Sequence, residues 1–339
     1  MRMRSAIIGA GRMGRVHLRA LRELGHDVVG VADVNREALA ETQAEFGLLD
    51  AQLFTSAETL LSDARLDLVI VATTAPTHCI YTCQAVQVGA NFVLCEKPMA
   101  VSLAQCDEMI EKCRIAGARL AINHFGRFRP TFRKIREILA SDGFGELASM
   151  TVVGGNVGLA MNGSHLIETF TTLTGEPIEE ATAWMDALTV ANPRGGEFED
   201  RSGTLRFTTK NGRRLTIDCS ADQGHGLVVI YAGRTGLCVE DVIAGRMRVL
   251  RRRTEDLGLP TTRYATPSNS EDLEFTAADV LEPAKAMITA LVEGGDIVDG
   301  LTGRKPIEAL VAAYESHENG HRAVPLDDNL PVERIFPWA

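Results

Sequence analysis

The residues best suited to chemistry begin with glycine. Gly9-Ala10-Gly11-Arg12-Met13-Gly14 directly follows the β-rich run Arg4 to Ile8 and opens a helical pattern through Val16, Leu18, Ala20, Leu21 and Leu24. A G-x-G-x-x-G run carries little weight alone, because glycine is common; between a strand and a helix it acquires a mechanism. Gly9 permits a tight turn, Gly11 lets the backbone approach a pyrophosphate, and Gly14 lets helix and strand pack closely, with Arg12 and Met13 in the same turn. The helix N-terminus adds N–H donors and the positive end of its dipole. The bland alternative is a glycine-rich surface turn. Asp33, which ends the apolar run His26 to Ala32, argues for the dinucleotide. A carboxylate there accepts hydrogen bonds from both ribose hydroxyls of NAD and repels a 2′-phosphate. Arg36 can stack on adenine or meet a 2′-phosphate, so NAD is the expected cofactor and NADP stays compatible.

Other reactive types also fall where strands end. Thr73, Thr74 and Pro76 follow the continuous apolar run Leu66 to Ala72, and ligands of open α/β sheets lie beyond the carboxyl ends of strands. These residues are expected to flank the middle or the nicotinamide end of the cofactor. His78 begins the next helix, where capping or packing competes with a cofactor contact. Glu96-Lys97-Pro98 closes the run Asn91 to Cys95. A lysine there can reach a bound nicotinamide and polarise a substrate oxygen, while proline fixes the turn and removes a donor. A Lys-Pro turn on its own is usually only a loop. Arg127 and Arg129 suit a substrate phosphate or carboxylate, or equally a solvated helix start; the five arginines of Arg246 to Arg253 read as an exposed strand and turn. The seven cysteines form no Cys-x-x-Cys pair, and Cys79 and Cys83, four apart, have no nearby partner at zinc-ligand spacing. Reduced, mostly buried thiols in a cytosol are expected, and no metal site.

Elements that position such residues follow from the pattern. The 339 residues suggest two domains. Up to Asn123, strands alternate with helices such as Arg36 to Phe46 and Leu103 to Ala116, which predicts an α/β fold with a doubly wound parallel sheet over residues 1–123. Residues 124–339 read as an α+β domain with a largely antiparallel sheet. Gly203 to Thr209 and Arg213 to Ser220 flank Lys210-Asn211-Gly212, a strong hairpin signal. Two late helices are expected near Pro283 to Val292 and Pro306 to Glu318, and Glu255 to Glu274 reads as an exposed loop. The formal charge of −10, from 35 basic and 45 acidic side chains, argues against nucleic acid as main partner. No stretch has the roughly 18 apolar residues of a membrane helix, and Met1 to Ile8 reads as a first strand, not a signal peptide.

Taken together, these motifs resemble the Gfo/Idh/MocA oxidoreductases, named for glucose-fructose oxidoreductase and inositol dehydrogenase. Gly9 to Gly14 with His17 is similar to the family's opening, Cys95 to Pro98 to its lysine motif, Arg127-Phe128-Arg129-Pro130 to the segment entering its second domain, and Gly163 to Glu168 to its histidine motif. Gly233-Arg234-Thr235-Gly236 and the helix ending near Ser316 and Gly320 also fit. The resemblance implies a Rossmann domain plus an open-faced sheet domain acting on a secondary alcohol of a sugar, nucleotide sugar or cyclitol. It implies that Lys97 binds the reacting hydroxyl and His165 exchanges its proton, and a histidine titrates where that exchange is needed. One position departs: many members carry aspartate four residues before the histidine, and here Met161 stands there. Asn162 and Glu168 are then the candidates to contact a substrate hydroxyl, with Glu168 also able to orient the imidazole. Three functions fit: a dehydrogenase or ketoreductase, a non-catalytic dinucleotide-binding sensor, and redox-assisted glycoside cleavage with retained NAD. The apolar runs Leu205 to Phe207, Leu215 to Ile217 and Val228 to Ile230 lead to an expected homodimer or homotetramer joined through the second sheet.

Overall fold

A computed structural model describes residues 2–63, 65–187, 190–260, 267–276 and 279–339. Six strands, β1 (Arg4–Ile8), β2 (Asp27–Ala32), β3 (Leu53–Phe54), β4 (Leu68–Val71), β5 (Phe92–Cys95) and β6 (Arg119–Ile122), form one sheet in the order β3-β2-β1-β4-β5-β6. Every pairing is parallel. Helices α1 (Arg12–Glu23), α2 (Arg36–Phe46), α3 (Ala57–Asp63), α4 (His78–Gln87) and α5 (Leu103–Ala116) alternate with the strands. This is the doubly wound sheet that the alternation predicts. All four residues of β4 are buried, which is why that strand reads as an unbroken apolar run. Local chemistry sets the helix ends. The Asn35 side chain accepts from the Glu37 and Ala38 N–H groups at the start of α2, and Ser102 accepts from Gln105 N–H at the start of α5.

The second unit opens with α6 (Pro130–Ala140), β7 (Leu147–Gly155) and α7 (Ser164–Thr174). Strands β8 (Ile178–Met185), β9 (Gly203–Thr209), β10 (Arg214–Ser220), β11 (Val228–Gly233), β12 (Gly236–Asp241), β13 (Arg246–Arg252) and β14 (Ser268–Glu274) follow. With β7, and with β15 (Val324–Pro325) at one edge, they make a nine-stranded sheet, β14-β13-β12-β11-β7-β10-β9-β8-β15. It is antiparallel except where β10 runs parallel to β7. The Asn211-Gly212 hairpin joins β9 to β10, with Gly212 at φ +76°.

Four expectations need correction. Part of Glu255 to Glu274 is the strand β14, not a loop; its side chains are nearly all exposed, so no apolar alternation announces it. Backbone pairing with β13 along all seven residues defines it, and ion pairs lie across the two strands: Arg248 to Asp272 at 2.8 Å, Arg251 to Glu271 at 2.9 Å and Arg246 to Glu274 at 3.3 Å. Residues 261–266 of that expected loop lie outside the described residues. Second, the chain does not divide once at 123/124. One compact unit comprises Met1–Phe125, Asp279–Ile307 and Pro331–Ala339, the other Gly126–Ala278 and Glu308–Leu330. The returning helix α8 (Leu281–Glu293) packs on α1, and the Arg119 guanidinium of β6 donates to the carbonyls of Ala290, Leu291 and Gly295 at its end. Amphipathic spacing marks such a helix without saying which sheet it covers. Third, α9 (Gly300–Glu318) starts six residues before Pro306, with Asp299 accepting from Thr302 N–H. Fourth, Leu205, Phe207, Leu215 and Ile217 are fully buried within the chain itself. On β11 and β12 the half-exposed apolar residues are Val228, Ile230, Leu237 and Val239. No helix among the described residues is long and apolar enough to cross a membrane.

Candidate active site

In the first unit, strand order reverses between β1 and β4, and the carboxyl ends of β1, β2, β4 and β5 carry the expected residues. Gly9 sits at φ +104°, and a Cβ there would lie 2.4 Å from the Ala72 carbonyl oxygen. A Cβ on Gly14 would come within 1.9 Å of the Gly9 carbonyl oxygen, so α1 rests directly on the turn. Gly11 differs from both. Its backbone is extended at φ −68° and ψ −171°, and an added Cβ would meet no protein atom within 4 Å. Nothing in the protein demands glycine at this position. It caps α1 without a side-chain hydrogen bond, and no acidic residue occupies the first turn. Free N–H groups, a positive dipole end and open space beside Gly11 fit a dinucleotide pyrophosphate.

Asp33 is half-buried at the end of β2. It accepts from Ala10 N–H at 2.7 Å through Oδ2 and from Asn35 N–H at 2.8 Å through Oδ1. These two bonds orient the carboxylate against the glycine turn and leave lone pairs on both oxygens. Arg12 and Arg36 are exposed, and Met13 is half-buried. Beyond β4, Thr77 donates to the Thr73 hydroxyl oxygen at 2.7 Å, Thr74 is half-buried and Pro76 is exposed at the start of a 3₁₀ turn. His78 is buried, with Nδ1 2.9 Å from the Pro98 carbonyl and Nε2 3.2 Å from the Thr73 carbonyl. It ties two strand-end loops together, the packed arrangement that competes with a cofactor contact at this position.

Glu96 also turns into the protein. It is buried, and its Oε1 accepts from His17 Nε2 and from Asn123 Nδ2, each at 2.7 Å. Burial alone would raise its pKa. The His17 hydrogen bond and charge, with Lys97 and Asn123, outweigh burial and hold it down to about 2. Lys97 follows, half-buried at the carboxyl end of β5, with a cis bond to Pro98. Asn123 is the residue of this cluster that no sequence pattern announces.

In the second unit, a π-helical turn, Leu159–Gly163, feeds straight into α7, whose second residue is the half-buried His165. Asp200 organises that turn. Its carboxylate accepts from Ala160 N–H and Met161 N–H, both at 2.8 Å, and a Cβ on Gly158 would lie 2.2 Å from Oδ2. Asp200 lies 39 residues from Met161, out of reach of motif reading. The Asn162 side-chain amide donates to the Val157 carbonyl. Glu168 is buried and accepts from Arg127 Nη2 at 2.7 Å and from Thr172 Oγ1 at 2.8 Å. Glu168 and Arg127 therefore anchor α7 to the chain entering the unit. Arg129 and Glu240 form a second buried cluster: burial pulls the arginine pKa down and pushes the carboxyl up, and Tyr231 donates to Glu240 at 3.0 Å.

The profile of a family described as an oxidoreductase family with an NAD-binding Rossmann fold matches residues 3–124. The chain is 29% identical over 236 residues to D-apiose dehydrogenase of Paraburkholderia graminis, covering 65% of this chain and 60% of that protein. It is 26% identical to myo-inositol 2-dehydrogenase of Thermotoga maritima, over 96% of this chain and 99% of that one. Among solved structures, an oxidoreductase from Agrobacterium radiobacter in complex with NAD+, L-tartaric acid and magnesium superposes with a TM-score of 0.78 at 20% identity, covering 96% and 99% of the two chains.

Proposed function

We propose, for a chain that through residues 3–124 belongs to the NAD-binding oxidoreductases of the Gfo/Idh/MocA family, hydride transfer between nicotinamide and a secondary alcohol or ketone of a sugar or cyclitol. The observation that carries the reading is the turn after β1, where Gly11 is constrained by no protein contact and Asp33 is held against the same turn by Ala10 N–H. The Gly9–Gly14 turn would hold the pyrophosphate and Asp33 the adenosine ribose, which favours NAD over NADP. Bound NAD supplies the hydride acceptor when the alcohol is oxidised. Lys97 holds the reacting oxygen through its ammonium, favouring alkoxide character as the C–H bond breaks. His165 accepts the hydroxyl proton on its imidazole and returns it in the reverse direction. The buried His17–Glu96–Asn123 cluster fixes the backbone of the residue before Lys97. Asp200 supplies, through two backbone N–H groups, order to the turn that carries His165.

All seven cysteines are free thiols, which supports a reducing, cytosolic setting. The half-exposed face of Val228, Ile230, Leu237 and Val239 supports assembly through the second sheet. Light scattering should find a dimer or tetramer at micromolar concentration; a stable monomer would remove that part of the reading. The test of function is the appearance of NADH absorbance with a panel of free sugars, nucleotide sugars and cyclitols. Turnover with at least one polyol and NAD is expected. Tight NADH binding with no turnover across the panel in either direction would point to a sensor instead.

A further inference from the structure

Cys79 and Cys83 lie one turn apart on α4, so both side chains project from one helix face. Opposite them is Glu108 on α5. The two sulfurs and a carboxylate oxygen of Glu108 all lie within 4.8 Å of one another. They line a cavity of about 760 Å3 between the two helices, which Lys112 also lines. Cys79 Sγ is 3.5 Å from Glu108 Oε2. A tetrahedral zinc with a Zn–S bond of about 2.3 Å and a Zn–O bond of about 2.0 Å sets its sulfur and oxygen donors about 3.5 Å apart. That edge of the coordination polyhedron already has its length before any ion binds. Linear spacing hides the third ligand, because Glu108 lies 25 residues beyond Cys83 on the next helix.

We propose that Cys79, Cys83 and Glu108 form a binding site for one thiophilic divalent cation of zinc type, with water in the fourth position. Two sulfurs exclude the hard cations magnesium and calcium, and two sulfurs with one oxygen in a tetrahedral arrangement suit zinc. The cavity is open, which leaves room for the water. Binding deprotonates both thiols, so two protons leave to solvent for each ion bound, and no oxidation state changes. The three ligands then carry three negative charges against two on the ion, and the Lys112 ammonium on the cavity wall offsets the remainder. The ion clips α4 to α5. Since α4 begins at His78, immediately after the Thr73–Thr77 loop, the clip also secures the helix that follows a strand end of the cofactor domain.

Cobalt(II) titration of the full chain, kept reduced by a phosphine, tests the assignment. One equivalent should produce a thiolate-to-cobalt charge-transfer band in the near ultraviolet together with the strong visible bands of a tetrahedral ion, and zinc should displace both. In weak buffer, zinc should release two protons per chain. Cys79→Ser and Cys83→Ser should each abolish the tetrahedral spectrum. Glu108→Gln, at an exposed position that leaves the fold undisturbed, should keep the thiolate band and weaken binding at least tenfold. No charge-transfer band at equimolar cobalt would overturn the proposal. So would a band that survives in the Cys79→Ser/Cys83→Ser double variant, since another cysteine would then be its source, or unchanged affinity in Glu108→Gln.

Discussion

The turn after β1 and the turn before α7 are built from opposite materials. In the first, the backbone does the work. Gly9 and Gly14 are forced by atoms 2.4 and 1.9 Å from where a Cβ would stand, and Gly11 is left free to meet something that is not protein. In the second, side chains from far along the chain impose the shape: Asp200 receives two N–H groups of the π-helical turn, and Glu168 receives Arg127. A backbone-built site needs particular residue types at fixed local spacing. A side-chain-built site needs only partners that meet in space, and those partners can come from anywhere.

The difference can be broken or sharpened by substitution. The largest effect is expected where chemistry is done: Lys97→Ala and His165→Ala should each lower turnover by roughly 10²–10⁴-fold while NADH affinity stays near wild type. A His165→Ala enzyme with normal turnover and pH profile would move the proton acceptor elsewhere. Gly14→Ala should cost about 3 kcal/mol in urea unfolding, the upper end for overpacking, because the clash is between backbone atoms that cannot turn aside. A loss below about 1 kcal/mol would mean that the turn relaxes, and that the backbone is less constraining than these distances imply.

Acid should expose the buried cluster of the first unit. Glu96 sits at about 2 in the folded chain against an ordinary 4.5. Its contribution is complete above pH 4.5 and is lost as pH falls toward about 2. The loss is on the order of 3 kcal/mol across that window. Denaturation monitored against pH should show this acid limb, and Glu96→Gln should flatten it. Smallest is the effect at Asp33, where Asp33→Ser removes the acceptor of two backbone bonds and of the ribose. NADH affinity should fall about tenfold, with a smaller loss or a gain for NADPH. Equal losses for both cofactors would show that the carboxylate shapes the turn without choosing between them.

How much of this was legible in the sequence follows from the same contrast. The parallel sheet, the glycine turn and Asp33 are written in local spacing, and the structure adds distances to them. His78 and Glu96 were visible as polar residues at strand ends, but the pattern could not say that their side chains turn inward to Pro98 and Thr73, and to His17 and Asn123. Glu168 has the spacing of an imidazole neighbour, one turn after His165, yet Arg127 takes it. Strand β14 escaped because its side chains are nearly all exposed and carry no apolar alternation, while its backbone pairs with β13. Helix α8 showed its own apolar face while the sheet it packs on lay more than a hundred residues earlier.

Gly11→Val tests the central claim, that the turn after β1 is shaped by a ligand at one glycine and by the protein at its neighbours. The backbone there is open to a β-branched residue, and no protein atom lies within 4 Å of its Cβ. Thermal unfolding and an NADH fluorescence titration on the same sample decide it. The expected result is a stability loss under about 1 kcal/mol, in the range of an altered N-cap, together with loss of NADH binding. A variant that binds NADH with wild-type affinity and stoichiometry would contradict the account.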